Sequence, residues 1–465
     1  MKTNLHFSAV IAALFFVLPS CMLVGPDHSV PSTEGAESYK SGSSSFPSRM
    51  DKRWWRAFGD SGLNSLMSDL EKGNLDLRAA EARRNQAYSA LGIDRSQLAP
   101  QVLSEASASR NRQSQNGLAA GFGPTYYNNY SVAMSLGYEL DLWGRVRRLV
   151  EAGNASADAA EISVDQVKLS LQAQLARSYF AMRFIDSEAE VLGRALETRK
   201  ETLELAKERF EGGKTSELDV ARAEAELATT RAQLVALEAP RASLENAIAV
   251  LAGKNASNFS IAPKSVEGNP PGISAGSPAQ LLGRRPDVWV AERNLAATSA
   301  RIGIAKAAFY PKVSLIGTGG LSSINTSNFL KFSSSEFSVG PQVDLPLFQG
   351  LRRKADYELA KSQHEEALAN YQQAVLVAFA DVENALSARR SANKEIDAQR
   401  DSVIASQKSF DLSNARYKEG ISSSLEVVDS QRELLNARRA EVQSRGRAFE
   451  ATVLLMQALG GGFSK

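Results

Sequence analysis

Two runs of the chain alternate strictly between apolar and polar positions. In the first, Val132, Met134, Leu136, Tyr138, Leu140 and Leu142 are separated by Ala133, Ser135, Gly137, Glu139 and Asp141. In the second, Phe337, Val339, Pro341, Val343, Leu345 and Leu347 are separated by Ser338, Gly340, Gln342, Asp344 and Pro346. Period two predicts strands with one apolar and one polar face. Weaker strand signals precede them at Val102–Ser109 and Val313–Leu321, joined to them by loops at Gly121–Tyr130 and Ser322–Lys331. Two structures share this pattern: a half-buried sheet of a soluble protein, and a transmembrane barrel that is apolar outside and polar inside. A tilted strand needs about 9–11 residues to cross a bilayer, which these runs supply. Four strands are too few to close, since the smallest such barrels have about eight. Open edges in lipid leave peptide groups unpaired. A barrel built from this chain must therefore be shared between chains.

The remaining pattern is helical. Segments Leu63–Leu98 and Leu281–Phe309 precede the two strand pairs, and very long helices follow them. Leu351 to Glu419 contains no Gly or Pro, and Ala155 to Glu211 contains only Gly193. Sixty helical residues span about 90 Å. Leu192, Ala195, Leu196, Leu203 and Ala206 form one stripe, which Arg199 interrupts; small residues there permit close helix packing, in a channel wall or in an ordinary coiled coil. Each long helix ends at a Gly-containing turn, Glu211-Gly212-Gly213-Lys214-Thr215 or Lys418-Glu419-Gly420-Ile421-Ser422-Ser423. A return helix of about 35 residues follows each turn, giving one long hairpin per half.

The halves match internally. Asn74–Glu81 parallels Arg285–Glu292, and Ala90-Leu91-Gly92-Ile93 parallels Arg301-Ile302-Gly303-Ile304, after which Pro100 meets Pro311. Leu140-Asp141-Leu142-Trp143 faces Leu345-Pro346-Leu347-Phe348, followed by Arg147-Arg148 and Arg352-Arg353. Arg209-Phe210, Gly213 and Leu218-Asp219-Val220 match Arg416-Tyr417, Gly420 and Leu425-Glu426-Val427. Ordered matches at near-constant offset identify a tandem duplication. The expected organisation is a first repeat over 51–264, then a linker and second repeat over 265–465, with the joint in the Pro/Gly/Ser-rich stretch Ser265–Ser277.

The N-terminus adds an address. Lys2 and an apolar stretch of about a dozen residues, Phe7–Leu18, fit a secretory leader over residues 1–20 and are too short to span a membrane. Leu18-Pro19-Ser20-Cys21 resembles a bacterial lipobox, in which the cysteine becomes the lipidated first residue. A chance cysteine in a leader cut elsewhere is the plainer alternative. Met22, rather than Asp, implies outer-membrane sorting by the same resemblance. Residues 21–50, rich in Ser and Gly, read as a lipidated tether. That address favours the barrel over the soluble sheet.

Composition excludes several functions. Lys and Arg total 54 against 52 Asp and Glu, too balanced for a nucleic-acid binder. One Cys and three scattered His (His6, His28, His364) leave no metal centre, catalytic triad or cofactor site in view. Gly317-Thr318-Gly319-Gly320 lacks the Lys and following helix of a phosphate loop. Arg145, Arg147, Arg148, Arg352, Arg353 and Lys354 lie where strand gives way to helix; lipid headgroups, a tunnel lining and a solvated helix end all fit them. Trp143 and Phe348 fit interfacial anchors and ordinary junction packing equally well.

Taken in order, Val24-Gly25-Pro26-Asp27, Trp54-Trp55 with Phe58, Arg284-Arg285-Pro286-Asp287-Val288, Phe309-Tyr310-Pro311-Lys312 and the Arg416-Tyr417…Gly420…Leu425 turn resemble the bacterial outer membrane factors. Within that TolC-like family they resemble the lipoprotein branch of the multidrug efflux channels. The resemblance implies an α+β membrane protein: a homotrimer with a twelve-stranded outer-membrane β-barrel, four strands per chain, and a long α-helical periplasmic barrel. It implies a periplasmic adaptor and an inner-membrane pump, most naturally of the resistance-nodulation-division type, as partners. It also implies a periplasmic gate. By motif match, Glu426 and Asp429 fall at the carboxylates of the constriction, where i, i+3 spacing sets both on one helical face. Favouring the helix dipole is the plainer role for acidic residues near a helix start. Asp219 and Tyr417 resemble the family's tip-locking contacts. Ser422 stands where well-known members carry a locking Arg, so a salt bridge is unavailable there. The expected function is a passive export conduit without enzymatic chemistry. A lipoprotein coiled-coil scaffold or adhesin is the alternative, which would not need the strand pairs.

Overall fold

The computed structural model describes residues 22–32, 39–40, 51–116, 124–276 and 278–463. The expected leader 1–20 and the expected lipidation site Cys21 lie outside the described residues. The principal elements are α1 (Ser61–Gly73), α2 (Leu75–Ser96), β1 (Gln101–Arg112), β2 (Tyr126–Leu140), α3 (Arg145–Glu211), α4 (Glu217–Val235), α5 (Glu238–Leu251), α6 (Pro286–Ala307), β3 (Lys312–Ser323), β4 (Ser335–Asp344), α7 (Arg352–Lys418) and α8 (Ser424–Ala458). The succession helix, strand pair, 67-residue helix, return helix occurs twice. The described residues form two compact units, each drawing on both halves of the chain: those within 22–32, 83–160 and 290–371 in one, and those within 39–82, 161–289 and 372–463 in the other.

The first unit holds one antiparallel sheet in the order β1-β2-β3-β4. Its register aligns Val102, Leu136, Gly317 and Val339 in one row across the strands, and Ser104, Met134, Gly319 and Phe337 in the next. Because side chains alternate across a strand, this register puts one parity of all four strands on a common face. That face carries Val132, Met134, Leu136, Tyr138, Leu140, Leu315, Val339 and Val343, and it stands open among the described residues. Met134 is 62% exposed, Val339 68% and Phe337 87%. The opposite face carries Glu105, Ser131, Ser135, Glu139, Ser314, Thr318, Ser338, Gln342 and Asp344, broken by Leu103 and Ile316. The outer edges of β1 and β4 are unpaired among the described residues. An apolar face left in the open is the signature of a sheet whose solvent is lipid.

The strand ends differ from their predicted positions. β2 stops at Leu140 because Asp141 turns to cap α3, accepting from the backbone N–H groups of Val146 (3.0 Å) and Arg147 (2.9 Å). β4 stops at Asp344, two residues short of Pro346. At this junction Trp143 donates to the Pro311 carbonyl (2.8 Å) and stacks on Tyr310 (4.8 Å), so it is packed into the fold rather than free in an interface. Phe348, its repeat counterpart, is 86% exposed.

Arg148 decides how the N-terminal segment is held. It is 1% exposed and reaches Asp27 (2.7 Å), Glu151 (2.7 Å) and the Val24 carbonyl (3.3 Å). A headgroup or tunnel role for Arg148 is thereby ruled out. A buried guanidinium is tolerable only with such a full set of acceptors. Arg145 is likewise paired with Glu139 (2.7 Å) and Arg147 with Asp141 (3.1 Å), whereas Arg352 is exposed beside Asp356 (3.7 Å). Val24 is buried, and Gly25, at φ +103°, lies so close to Gly303 that an added Cβ would sit 2.4 Å from its Cα. His28 Nε2 meets Glu292 at 2.6 Å. Residues 22–32 are thus a docked strap rather than a loose leash.

In the second unit, α1, α3, α5 and α8 bury a core that includes Leu63, Met67, Leu70, Leu175, Tyr179, Phe180, Ile248, Phe449 and Val453. Trp54 and Trp55 join it, and Phe58 packs on Phe180 (4.7 Å). The predicted single helix Leu63–Leu98 is broken at Asn74. Its backbone is extended (φ −68°, ψ 126°), and its side chain accepts from Leu77 N (2.9 Å) while donating to the Leu251 carbonyl (2.9 Å). The first return helix is also split, into α4 and α5. Pro240, in the first turn of α5, has no N–H to give the preceding turn. The Arg284-Arg285-Pro286-Asp287 motif is a structural clamp: Arg285 bonds Asp287 (2.6 Å), Asp381 (2.9 Å) and the Ala458 carbonyl (3.2 Å). Tyr39 is buried, and Lys40 N donates to Glu383 (2.7 Å), so part of the expected tether is also docked.

Candidate functional site

The two hairpin turns, both in the second unit, are built alike. After α3, Lys214 N reaches the Arg209 carbonyl (2.8 Å) and Gly213 N the Phe210 carbonyl (2.9 Å). After α7, Ile421 N reaches Arg416 O (2.9 Å) and Gly420 N reaches Tyr417 O (3.0 Å). This paired bonding closes a helix with a left-handed residue, here Gly213 (φ +66°) and Gly420 (φ +82°). A side chain at either position would strain the turn.

Two contacts tie the turns to each other. Asp219, at the third position of α4, accepts from Ser424 Oγ at the start of α8, from Thr215 Oγ1, and from Ser216 Oγ (3.2 Å). Arg209 donates to the Lys418 carbonyl (3.0 Å), one of the orphan acceptors at the end of α7, and lies 4.3 Å above the Tyr417 ring. Tyr417 is 3% exposed. Asp219 and Tyr417 thus both serve the junction of the turns, through separate partners. Ser422 Oγ has no partner among the described residues, and Ser424 makes the cross-turn bond instead. Hydrogen bonds from Ser424, and next from Thr215, hold the Asp219 carboxyl below the ordinary carboxylate range.

Glu426 and Asp429 lie in the first turns of α8 and are exposed. Glu426 makes no hydrogen bond or ion pair among the described residues. Asp429 faces Arg432 at 3.6 Å. The internal match sets Asp219 over Glu426, so one ancestral position has two fates. Asp219 is tied into the junction of the turns; Glu426 stands free among the described residues. Arg222 occupies the position that corresponds to Asp429, so only the second half offers an acidic pair.

Sequence reasoning missed Arg209, although its match to Arg416 had marked the position. It also misread Arg199. Rather than interrupting the stripe, Arg199 is buried within it, 4% exposed, donating to the Glu226 carbonyl (2.8 Å) and Thr230 Oγ1 and pairing with the Glu226 carboxylate (3.0 Å). No cluster of metal-ligating side chains exists among the described residues, and no described helix is long and apolar enough to cross a membrane.

Comparison with known proteins decides the assignment. The outer membrane efflux protein family model matches residues 66–254 and 277–461. The chain belongs to the outer membrane efflux protein family. It is 30% identical over 462 residues to the toluene efflux pump outer membrane protein TtgC of Pseudomonas putida, covering 97% of this chain and 95% of that protein. It is 30% identical over 417 residues to the pyoverdine export outer membrane protein OpmQ of Pseudomonas aeruginosa, covering 89% and 88%. The structure of the outer-membrane channel OprN superposes with a TM-score of 0.88 at 32% identity, over 94% of this chain and 99% of that one. This efflux protein therefore has the trimeric outer-membrane channel fold, with four strands per chain in an outer-membrane barrel and an α-helical periplasmic barrel. Its exposed apolar sheet face meets lipid.

The depressed Asp219 carboxyl stabilises the turn junction fully above its unfolded value of about 3.9, and that contribution is lost as pH falls through the lower folded value. In Ser424→Ala, removing the largest cause of the depression moves that loss to higher pH. Hydrogen exchange over 215–222, referenced to the core segment 175–182, should show earlier loosening on acidification than in the parent. Identical profiles would contradict the role assigned to Ser424.

Proposed function

We propose that this efflux channel is gated at its paired helical turns, with Glu426 and Asp429 as the carboxylates of the constriction. The observation that carries this is the exposed, unpartnered Glu426 beside a turn where its repeat counterpart Asp219 is fully engaged. Glu426 also lies in the first turn of α8, where a carboxylate favours the helix dipole. Repeated around a threefold axis, the pair forms two acidic rings that draw cations and repel anions. Asp219–Ser424 and Arg209–Tyr417 hold the turns together in the closed state. Substrate moves outward as these contacts yield.

The channel works in a tripartite system: a periplasmic adaptor meets the hairpin turns, and an inner-membrane pump of the resistance-nodulation-division type supplies the energy. TtgC and OpmQ, named for toluene and for pyoverdine, are equally similar to this chain, so its cargo does not follow from similarity. Cys21 carries the lipid anchor, one residue before the docked strap.

Single-channel recording in planar bilayers tests the gate. The parent should give a small cation-selective conductance. Glu426→Ala with Asp429→Ala should enlarge it and bring the potassium-to-chloride permeability ratio toward one. Conductance and selectivity unchanged by both substitutions would move the constriction elsewhere. The anchor is tested by labelling cells with radioactive palmitate: the parent protein should take up label and Cys21→Ser should not. Equal labelling of both would remove Cys21 as the site.

A further inference from the structure

Asp429 is the end of a line of alternating charges. Arg199 in α3 is buried and pairs with Glu226 in α4 (3.0 Å). Glu226 also receives Arg432 of α8. Arg432 in turn lies 3.6 Å from Asp429, one turn back on the same helix. The four side chains sum to zero, but their settings differ. Glu226 is 16% exposed, while Arg432 and Asp429 are 54% and 59% exposed. An ion pair strengthens as its surroundings lose water. Glu226 therefore outcompetes Asp429 for Arg432 while α4 and α8 stay together. Any movement that separates α8 from α4 must break the Arg432–Glu226 pair. The guanidinium, until then shared between two carboxylates, is left to Asp429 alone, its i, i+3 neighbour at 3.6 Å.

Resting on the gate reading above, we propose that Arg432 is a charge-setting residue of the constriction, coupling the selectivity of the acidic ring to the separation of α4 and α8. Shared with Glu226, Arg432 cancels Asp429 only in part, and the closed ring favours cations. Released, it neutralises Asp429, and the dilated ring passes cargo of either sign. The selectivity filter is thereby switched by the same motion that widens it.

Two substitutions break the same ion pair and separate this proposal from a merely structural clip. Arg432→Gln uncovers Asp429 and should raise the potassium-to-chloride permeability ratio about twofold, the scale of an exposed ion pair. Glu226→Gln releases Arg432 onto Asp429 and should lower the ratio by about as much. Arg432→Lys, which keeps the charge, should stay near the parent. Adding Asp429→Asn to Arg432→Gln should abolish the gain. A clip alone predicts shifts of one sign in both single variants; that result, no shift in either, or a gain that survives Asp429→Asn overturns the proposal. Arg199 retains the Thr230 hydroxyl and the Glu226 carbonyl in Glu226→Gln, and the Arg432→Gln series decides the matter even if that variant folds poorly. If the Glu426→Ala, Asp429→Ala channel keeps the parent's selectivity, the gate reading itself has failed; if it loses selectivity while the Arg432 series does not behave as stated, only the present proposal has.

Discussion

In hydrocarbon an unpaired peptide group costs several kcal/mol, and this sheet leaves the outer edges of β1 and β4 without partners among the described residues. Water could satisfy those edges, but water is the wrong solvent for the sheet's apolar face. Phe337, Val339 and Met134 stand open on it, while Glu105, Glu139 and Asp344 lie on the other. The two demands have one common solution: edge pairing between copies, apolar face outward.

Buried guanidinium groups fix the parts that this arrangement needs to hold still. Arg148 pins the strap beside the strand–helix junction, Arg285 clamps the end of α8 against α7, and Arg199 seats α4 on α3. Each has carboxylates or carbonyls enough to offset the loss of water. The tips are held more lightly, by hydroxyl–carboxylate bonds and one stacked Arg–Tyr contact.

Much of this was legible in the sequence, and the losses have physical causes. The alternation at 132–142 located the sheet because period two survives in any half-apolar strand. It missed the start of β2, since Tyr126-Tyr127-Asn128-Asn129 does not alternate, and it overran the end, since Asp141 looked like a polar strand position although it caps α3. The duplication exposed both hairpins because turn chemistry is local: Gly213 and Gly420 each close a helix in the same way. Long-range pairing was invisible. Nothing near Arg199 in sequence announces Glu226 or Thr230, and the hydrophobic stripe made a buried cation look like a defect. The strap was hidden for the same reason, because Val24 and Asp27 are held by Arg148, more than a hundred residues away. The family motif singled out Glu426 and Asp429, but only the fold shows which carboxylates of the turns are engaged.

The account depends most on strands shared between chains, and mass spectrometry of the intact protein released from mild detergent tests that directly. Three copies in the assembly, persisting at dilution, is the result predicted by edge pairing between identical four-stranded sheets. A folded, membrane-inserted monomer would contradict it, because its β1 and β4 edges would then have to be satisfied in lipid by some other means.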